Sequence, residues 1–196
     1  MRIIAGEARG NRIRLPGGCR IRPTADRVKK SLFDILHPVT GKSFLDLFAG
    51  SGSVGLEALS QGGRHSIFVE KDIRLVKAIR TVADCLGYGE RAEVIAAEVG
   101  RGLRHLVQRG ERFDIVFADP PYDIGLARQT LQWLSAGDIL KESGMVVLQH
   151  SVREKLEGSP DQALVIADQR GYGDTMLSFL RRGTDFKSVP NTGRYS

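Results

Sequence analysis

Residues 44–55 have the sequence FLDLFAGSGSVG, and this stretch decides the fold. The apolar run from Phe44 to Phe48 predicts a buried parallel strand. Gly50, Gly52 and Gly55 follow it with the spacing G-x-G-x-x-G, between a strand and a helix as this pattern requires. Glycines allow the chain to turn tightly and let a ligand touch the backbone. The stretch therefore predicts one βα unit of an α/β sheet, with a turn that can bind a ligand.

Strand–helix alternation continues on both sides of this unit. Further strands are predicted at residues 66–69, 93–95, 115–118, 145–148, 163–166 and 176–180, and helices at 25–36, 54–61, 74–86, 101–109 and 125–134. Repeated βα units predict an α/β fold with a parallel, doubly wound sheet and helices on both faces. The last two predicted strands flank Gly171-Tyr172-Gly173 and are candidates for an antiparallel hairpin.

Length and composition favour one compact α/β domain. The chain has 196 residues, 41% of them hydrophobic, which is enough for a real core. No apolar run approaches the roughly 20 residues that span a bilayer, and no signal peptide is recognisable. Cys19 and Cys85 are too few and too far apart for a disulfide framework or a zinc site. We expect a cytoplasmic protein that does not bind a membrane or a metal.

The positive charge is concentrated at the N-terminus. The net charge is +6, but residues 1–30 alone hold nine Lys/Arg against two acidic residues. We therefore divide the chain into a basic extension with a β-hairpin at 1–23, a main domain at 24–183 and a polar, disordered tail at 184–196. Arginines suit phosphate contacts and stacking on bases. The alternative is a solvated basic arm without a ligand.

A second motif, Asp119-Pro120-Pro121-Tyr122, follows the strand predicted at residues 115–118. Each proline fixes φ and removes an N–H, and Pro121 also restricts Pro120. The Pro120 carbonyl is thereby fixed beside the Asp119 carboxylate, and the two offer acceptors for a planar NH₂ group. Tyr122 offers a flat face on which the ring carrying that group can stack. A nucleobase amine fits these features, whereas the simpler interpretation is a tight turn with an N-capping aspartate.

The glycine loop alone suits two kinds of cofactor, a dinucleotide or S-adenosylmethionine. Glu70 lies 20 residues beyond Gly50, at the end of the second strand, where a carboxylate can accept both ribose hydroxyls of either cofactor. Asp46 favours S-adenosylmethionine, because a carboxylate suits a cationic ligand better than a pyrophosphate. No histidine constellation suggests hydride transfer, which makes a dehydrogenase a distant alternative. For Asp46, a helix-capping or turn-bonding role is the structural alternative.

The combined motifs resemble S-adenosylmethionine-dependent amino-methyltransferases that act on exocyclic base nitrogens. Residues 45–52, LDLFAGSG, and 119–122, DPPY, carry this resemblance. Residues 2–6, 22–28 and 55–60 (RIIAG, RPTADRV and GLEALS) are similar to the RsmD-type bacterial 16S rRNA guanine-N2 methyltransferases. The similarity runs from about residue 2 to residue 182. It implies the class I methyltransferase fold, a Rossmann-like sheet of seven strands in which the seventh is antiparallel.

The resemblance also implies roles for individual residues. As cofactor-binding residues we predict Asp46, Phe48, Gly50, Ser51, Gly52, Glu70, Lys71, Glu98 and Asp119. The predicted catalytic residues are Asp119, Pro120, Pro121 and Tyr122, and the predicted substrate-binding residues are Arg9, Arg12, Arg22, Thr24, Arg27 and Tyr122. Glu98 stands where such enzymes usually have Asp or Asn.

The resulting functional hypothesis is methylation of guanine N2 in 16S ribosomal RNA, either naked or in a small-subunit assembly particle, by a monomer. The DPPY motif is shared with adenine-N6 enzymes. Adenine-N6 methylation of DNA or RNA is therefore one alternative. A non-catalytic RNA-binding protein with a vestigial cofactor pocket is the other.

Overall fold

The computed structural model describes residues 1–13, 17, 26–122, 125–156 and 163–183. The helices are α1 Asp26–Leu36, α2 Ser53–Ser60, α3 Ile73–Cys85, α4 Val99–Gln108 and α5 Leu126–Ala136, with a short 3-10 helix at Gly89–Arg91. The strands are β1 Ser43–Leu47, β2 His65–Glu70, β3 Ala92–Ala96, β4 Phe113–Ala118, β5 Leu140–Ser151, β6 Leu164–Tyr172 and β7 Thr175–Arg182. The tail predicted at 184–196 lies outside the described residues.

The strands form one seven-stranded sheet in the order β3-β2-β1-β4-β5-β7-β6. β1 to β5 are parallel to their neighbours, and β7 is antiparallel to both β5 and β6. The predicted doubly wound sheet with an antiparallel seventh strand is therefore confirmed. The strand order reverses between β1 and β4, and ligands of such sheets bind at the carboxyl ends of the strands beside this reversal.

Helices cover both faces of the sheet, as predicted. Residues of α4 and α5, including Leu103 and Leu131, pack in one apolar cluster with strand residues such as Leu45 and Val116. On the other face, α1 packs over β1, β4, β5 and β7, and α2 and α3 pack near β2. β1 is buried along its whole length. This burial on both faces explains the continuous apolar run in its sequence.

The N-terminal segment, residues 1–13, is fixed to the main domain by a buried carboxylate. Glu57 of α2 accepts hydrogen bonds from the backbone N–H groups of Ile4 and Ala5, both at 2.8 Å. Lys29 of α1 lies 3.2 Å from the same carboxylate and donates to the Arg2 carbonyl at 2.5 Å. Both charged side chains are at most 1% exposed. Although Lys29 is one of the nine basic residues of the N-terminal region, it is not part of a basic or solvated surface, because it compensates the buried Glu57.

The same segment turns back on itself and packs closely on α2. Arg2 and Arg12 form an isolated antiparallel bridge, within the region where we predicted a hairpin. Gly6 has φ +79°, and a Cβ there would lie 1.8 Å from the carbonyl oxygen of Ser60. Only glycine fits this approach. Residues 14–16 and 18–23 of the predicted extension lie outside the described residues.

Asp114 joins three strands at the amino ends of β1, β4 and β5. This edge of the sheet is opposite the carboxyl ends, where ligands of such sheets bind. Its carboxylate accepts from Ser43 N at 2.8 Å, from Ser43 Oγ at 2.7 Å and from Lys141 Nζ at 2.7 Å. Burial alone would raise the pKa of Asp114, but the hydrogen bonds from Lys141 and Ser43 outweigh it and lower the pKa to about 2. The ionised carboxylate therefore stabilises the join between β1, β4 and β5.

Asp114→Asn is expected to destabilise the protein by about 1 kcal/mol near neutral pH, after allowance for partial solvent screening. Because the pKa of Asp114 is lowered by folding, its contribution is present above about pH 4 and is lost as the pH falls towards 2. Urea unfolding of both proteins at several pH values measures this difference. A difference that stays constant down to about pH 2 would contradict the assignment.

Candidate active site

A cavity of about 710 Å³ opens at the carboxyl ends of the parallel strands, beside the reversal between β1 and β4. The loops after β1, β2, β3 and β4 line it, together with residues of α3, α4 and α5. The lining residues are Phe48, Gly50, Glu70, Lys71, Asp72, Leu75, Glu98, Val99, Gly100, Arg101, Arg104, Asp119, Pro120, Pro121, Tyr122, Leu126 and Trp133. The cavity therefore brings the glycine loop and the DPPY motif together.

The glycine loop has the conformation for which its glycines were predicted. Gly50 and Gly52 have φ values of +55° and +72°. A Cβ at Gly55 would lie 2.3 Å from the Phe68 ring, so this glycine permits close packing of α2 on β2. Phe48 also has a positive φ, +58°, which is an unfavourable conformation for a bulky residue. Its ring lines the cavity and packs against the core.

Asp46 points into the protein, towards the start of α2. Its Oδ2 accepts from the Gly55 backbone N–H at 2.9 Å, and the residue is 2% exposed. Burial raises the pKa of Asp46 well above its usual value, and the nearby carboxylates of Asp119 and Glu70 raise it further. We predicted Asp46, Ser51 and Gly52 at the cofactor. All three are absent from the cavity lining, whereas Gly50 and Phe48 belong to it.

Glu70, at the end of β2, is held at the cavity by the backbone. Its Oε2 accepts from Gly50 N at 2.7 Å and its Oε1 from Asp72 N at 2.8 Å. A carboxylate has about four lone-pair sites, so about two remain available to further donors. Lys71 and Glu98 lie beyond it at the rim, form an ion pair at 3.3 Å and are both mostly exposed. Such a pair contributes at most about 1 kcal/mol, and it joins the loops after β2 and β3.

The DPPY motif leaves β4 at the centre of the sheet. The Asp119 backbone N–H donates to the Leu47 carbonyl at 3.4 Å, which places the turn beside the end of β1. Pro120 is buried, Pro121 is exposed, and Asp119 and Tyr122 are half-buried. All four line the cavity. The turn predicted from two consecutive prolines therefore faces the glycine loop across one cavity.

Residues that sequence reasoning missed at the site include Gln149, Thr175, Arg101 and Arg104. The first two contact the predicted Tyr122. Tyr122 Oη donates to Thr175 Oγ1 at 3.4 Å and accepts from Gln149 Nε2 at 3.2 Å. The predicted fifth strand ended at residue 148, one position before Gln149. Arg101 and Arg104 of α4 line the cavity from an exposed helix surface, and their spacing of three residues was the available signal.

Of the predicted substrate-binding residues that the structure describes, Tyr122 lines the cavity, whereas the three arginines do not. Arg9, Arg12 and Arg27 are exposed, and none of them lines the cavity at the strand ends. Arg12 borders a separate groove of about 630 Å³ between the N-terminal segment and α3. The other two predicted residues, Arg22 and Thr24, lie outside the described residues.

Within the part of the chain that is described, no group of three or more His, Cys, Asp or Glu side chains could hold a metal ion. None of the described helices combines the length and the apolar character that crossing a membrane requires. His150 is buried between Ser151 O and Ser178 Oγ, and burial lowers its pKa. His150 is thus a structural histidine with both ring nitrogens in hydrogen-bond contact.

The geometry fits S-adenosylmethionine. The Glu70 carboxylate retains acceptors for two neighbouring ribose hydroxyls, and the glycine loop leaves backbone open beside it. Leu75 and Val99 provide apolar walls for an aromatic base. A seven-stranded sheet with an antiparallel seventh strand and this cavity at its strand reversal define a class I S-adenosylmethionine-dependent methyltransferase.

Comparison with known proteins then gives the family. The family described as "Conserved hypothetical protein 95" matches residues 1–181. The chain is 37% identical over 151 residues to "Ribosomal RNA small subunit methyltransferase D" of Haemophilus influenzae, covering 76% of this chain and 78% of the relative. The chain is 33% identical over 165 residues to the protein of that name in Escherichia coli K12, covering 82% of this chain and 79% of the relative. The chain belongs to this family, and the resemblance to the RsmD-type enzymes is confirmed.

A solved structure agrees with this assignment. A hypothetical protein of Thermus thermophilus superposes with a TM-score of 0.77 at 36% sequence identity. The match covers 92% of this chain and 99% of that chain. The shared fold therefore includes almost the whole described structure.

Proposed function

We propose that this protein transfers a methyl group from S-adenosylmethionine to the exocyclic N2 of a guanine in 16S ribosomal RNA. One observation carries the proposal: Asp119, Pro120 and Tyr122 share a single cavity with Gly50 and Glu70. Two fixed oxygen acceptors and an aromatic face thus adjoin a nucleoside-binding loop. The names of the relatives from E. coli and H. influenzae, which refer to small-subunit ribosomal RNA, support the choice of substrate.

In this mechanism, S-adenosylmethionine when bound supplies a methyl group already activated by a sulfonium. Glu70, Gly50 and Phe48 hold the cofactor. The guanine N2 lone pair is delocalised into the ring, which makes N2 a poor nucleophile. Asp119 and the Pro120 carbonyl accept its two hydrogens, favour a pyramidal nitrogen and direct the lone pair towards the methyl group.

The remaining steps need little chemistry from the protein. Proton loss can follow methyl transfer, so Asp119 does not have to be a strong base. Tyr122 stacks on the unpaired or extruded guanine. The exposed arginines at positions 9, 12 and 27 contact RNA phosphates, which makes binding sensitive to salt. Catalysis consequently depends on positioning and electrostatics.

Glu70→Gln is expected to weaken S-adenosylmethionine binding about tenfold to a hundredfold. The amide has one oxygen, so it cannot accept from both Gly50 N and Asp72 N and also from a ribose. Calorimetric titration with the cofactor measures the loss. Glu93→Gln is the matched control, since Glu93 is a strand glutamate that pairs with Arg109 and does not line the cavity. Equal affinities for wild type and Glu70→Gln would contradict the role given to Glu70.

The overall proposal is tested by incubation with labelled S-adenosylmethionine and small-subunit RNA, either naked or with ribosomal proteins. Nucleoside mass spectrometry of the product should find the label in N2-methylguanosine. Label in N6-methyladenosine would replace guanine by adenine as the target. RNA binding without any methyl transfer would instead point to a non-catalytic RNA-binding protein.

A further inference from the structure

Gln149 is a buried amide that the proposed chemistry does not use. It follows Leu148, which pairs with Ala118, the residue immediately before Asp119. Gln149 is therefore beside the DPPY turn, on the neighbouring strand. It is 4% exposed, and its Nε2 donates to the Tyr122 hydroxyl at 3.2 Å.

The burial of Gln149 is not explained by stability. Its Oε1 is buried and has no hydrogen-bond partner among the described residues. A buried polar atom without a partner is unfavourable, and an apolar side chain of the same size would avoid this loss. Such a residue in a core strand points to a role at the adjoining site.

The Tyr122 hydroxyl is held from a second strand as well. It donates to Thr175 Oγ1 at 3.4 Å, and Thr175, at the start of β7, is 7% exposed. β5 and β7 pair directly and are rigid parts of the sheet. Tyr122 itself lies on a loop. Without bonds to its hydroxyl, its ring could turn about two side-chain torsions. Bonds from two buried strands to the hydroxyl therefore hold the outer end of the ring in place where it lines the cavity.

We propose that Gln149 and Thr175 are positioning residues that hold the Tyr122 ring as a platform for the target base. This inference rests on the proposed stacking of the base on Tyr122. Stacking itself needs only the ring, so phenylalanine would stack equally well. The hydroxyl matters because it transmits the positions of β5 and β7 to the ring. When the Tyr122 ring is already held in place, less conformational entropy is lost on binding of the base.

Gln149→Met and Tyr122→Phe are each expected to raise the KM for RNA about tenfold and to lower kcat less. The affinity for S-adenosylmethionine and the melting temperature should stay close to wild type, which would not hold for a residue with a purely structural role. The double variant should be no worse than Tyr122→Phe alone, because loss of the hydroxyl already removes its contact with Gln149. Gln169→Met is the matched control: Gln169 is also a strand glutamine but donates to Ser178.

Wild-type kinetics in Gln149→Met would overturn the inference, as would a double variant whose KM rises about a hundredfold, the product of two independent effects. Tyr122→Ala separates this inference from the proposed function. If Tyr122→Ala is severely impaired while Gln149→Met and Tyr122→Phe are normal, only the positioning role fails. If Tyr122→Ala is also normal, the stacking role in the proposed function fails with it.

Discussion

Asp119→Ala should slow methyl transfer about a thousandfold, while the affinity for S-adenosylmethionine changes by less than about twofold. The carboxylate is one of the two acceptors proposed to hold the base amine, so its loss acts on the reacting nitrogen. The turn itself should persist, because the bond from the Asp119 backbone N–H to the Leu47 carbonyl does not involve the side chain. Single-turnover rates and cofactor titrations measure the two quantities separately.

The matched control for this variant is Asp114→Asn. Asp114 is an aspartate of β4, the strand that Asp119 follows, but its carboxylate bonds to Ser43 and Lys141 at the amino end of that strand. This variant should lose stability and retain its rate at temperatures where it is folded. Asp119→Asn keeps one acceptor oxygen. Its rate of methyl transfer should therefore fall between those of wild type and Asp119→Ala. Unchanged turnover in Asp119→Ala would end the proposed mechanism.

Lys29→Met should lower the free energy of unfolding by about 3–5 kcal/mol, because it leaves the Glu57 carboxylate buried without its compensating charge. For a chain of this size, that corresponds to a fall in Tm of roughly 10 °C. The N-terminal segment should also detach, since Lys29 and Glu57 together bind the backbone at Arg2, Ile4 and Ala5. Thermal unfolding and trypsin cleavage at exposed Arg9 report on the two effects.

A second ion pair of the same segment provides the control. Arg91 contacts Glu7 at 2.8 Å, but both side chains are substantially exposed. Arg91→Met should therefore change the free energy of unfolding by less than about 1 kcal/mol. Adding Glu57→Met to Lys29→Met should not restore stability, because the N–H groups of Ile4 and Ala5 would remain without an acceptor. A wild-type Tm for Lys29→Met would contradict this account.

The parts of the fold that depend on local backbone preferences could be predicted from the sequence. The glycine loop and the two prolines after β4 restrict their own backbones, so their conformations could be predicted without tertiary contacts. Alternating βα units likewise predicted the parallel sheet. β5 extends from Leu140 to Ser151, well beyond the predicted 145–148, because its polar first half and Gly144 hide the strand pattern. Pairing with β4 and β7 supplies what local propensity lacks.

Contacts between distant segments could not be predicted. Glu57 occurs in an ordinary helical sequence, and nothing local indicates that it binds the backbone of residues 4 and 5. The burial of Lys29 follows from that contact. Gln149 was missed for a similar reason, since its role depends on a hydrogen bond to Tyr122, which is 27 residues away in sequence. Asp46 was placed correctly on β1, and the bond from Gly55 N to its carboxylate at the start of α2 agrees with the structural alternative that the sequence offered for it.

The central claim is that the Asp119–Pro120 acceptor pair presents a guanine 2-amino group for methylation. Replacement of the mapped target guanosine by inosine tests it most directly, because inosine differs from guanosine only in lacking that amine. We predict that RNA carrying inosine binds the enzyme with near-normal affinity and accepts no labelled methyl group at this position, whereas guanosine RNA is methylated. Methylation of the inosine RNA at an undiminished rate would contradict the account.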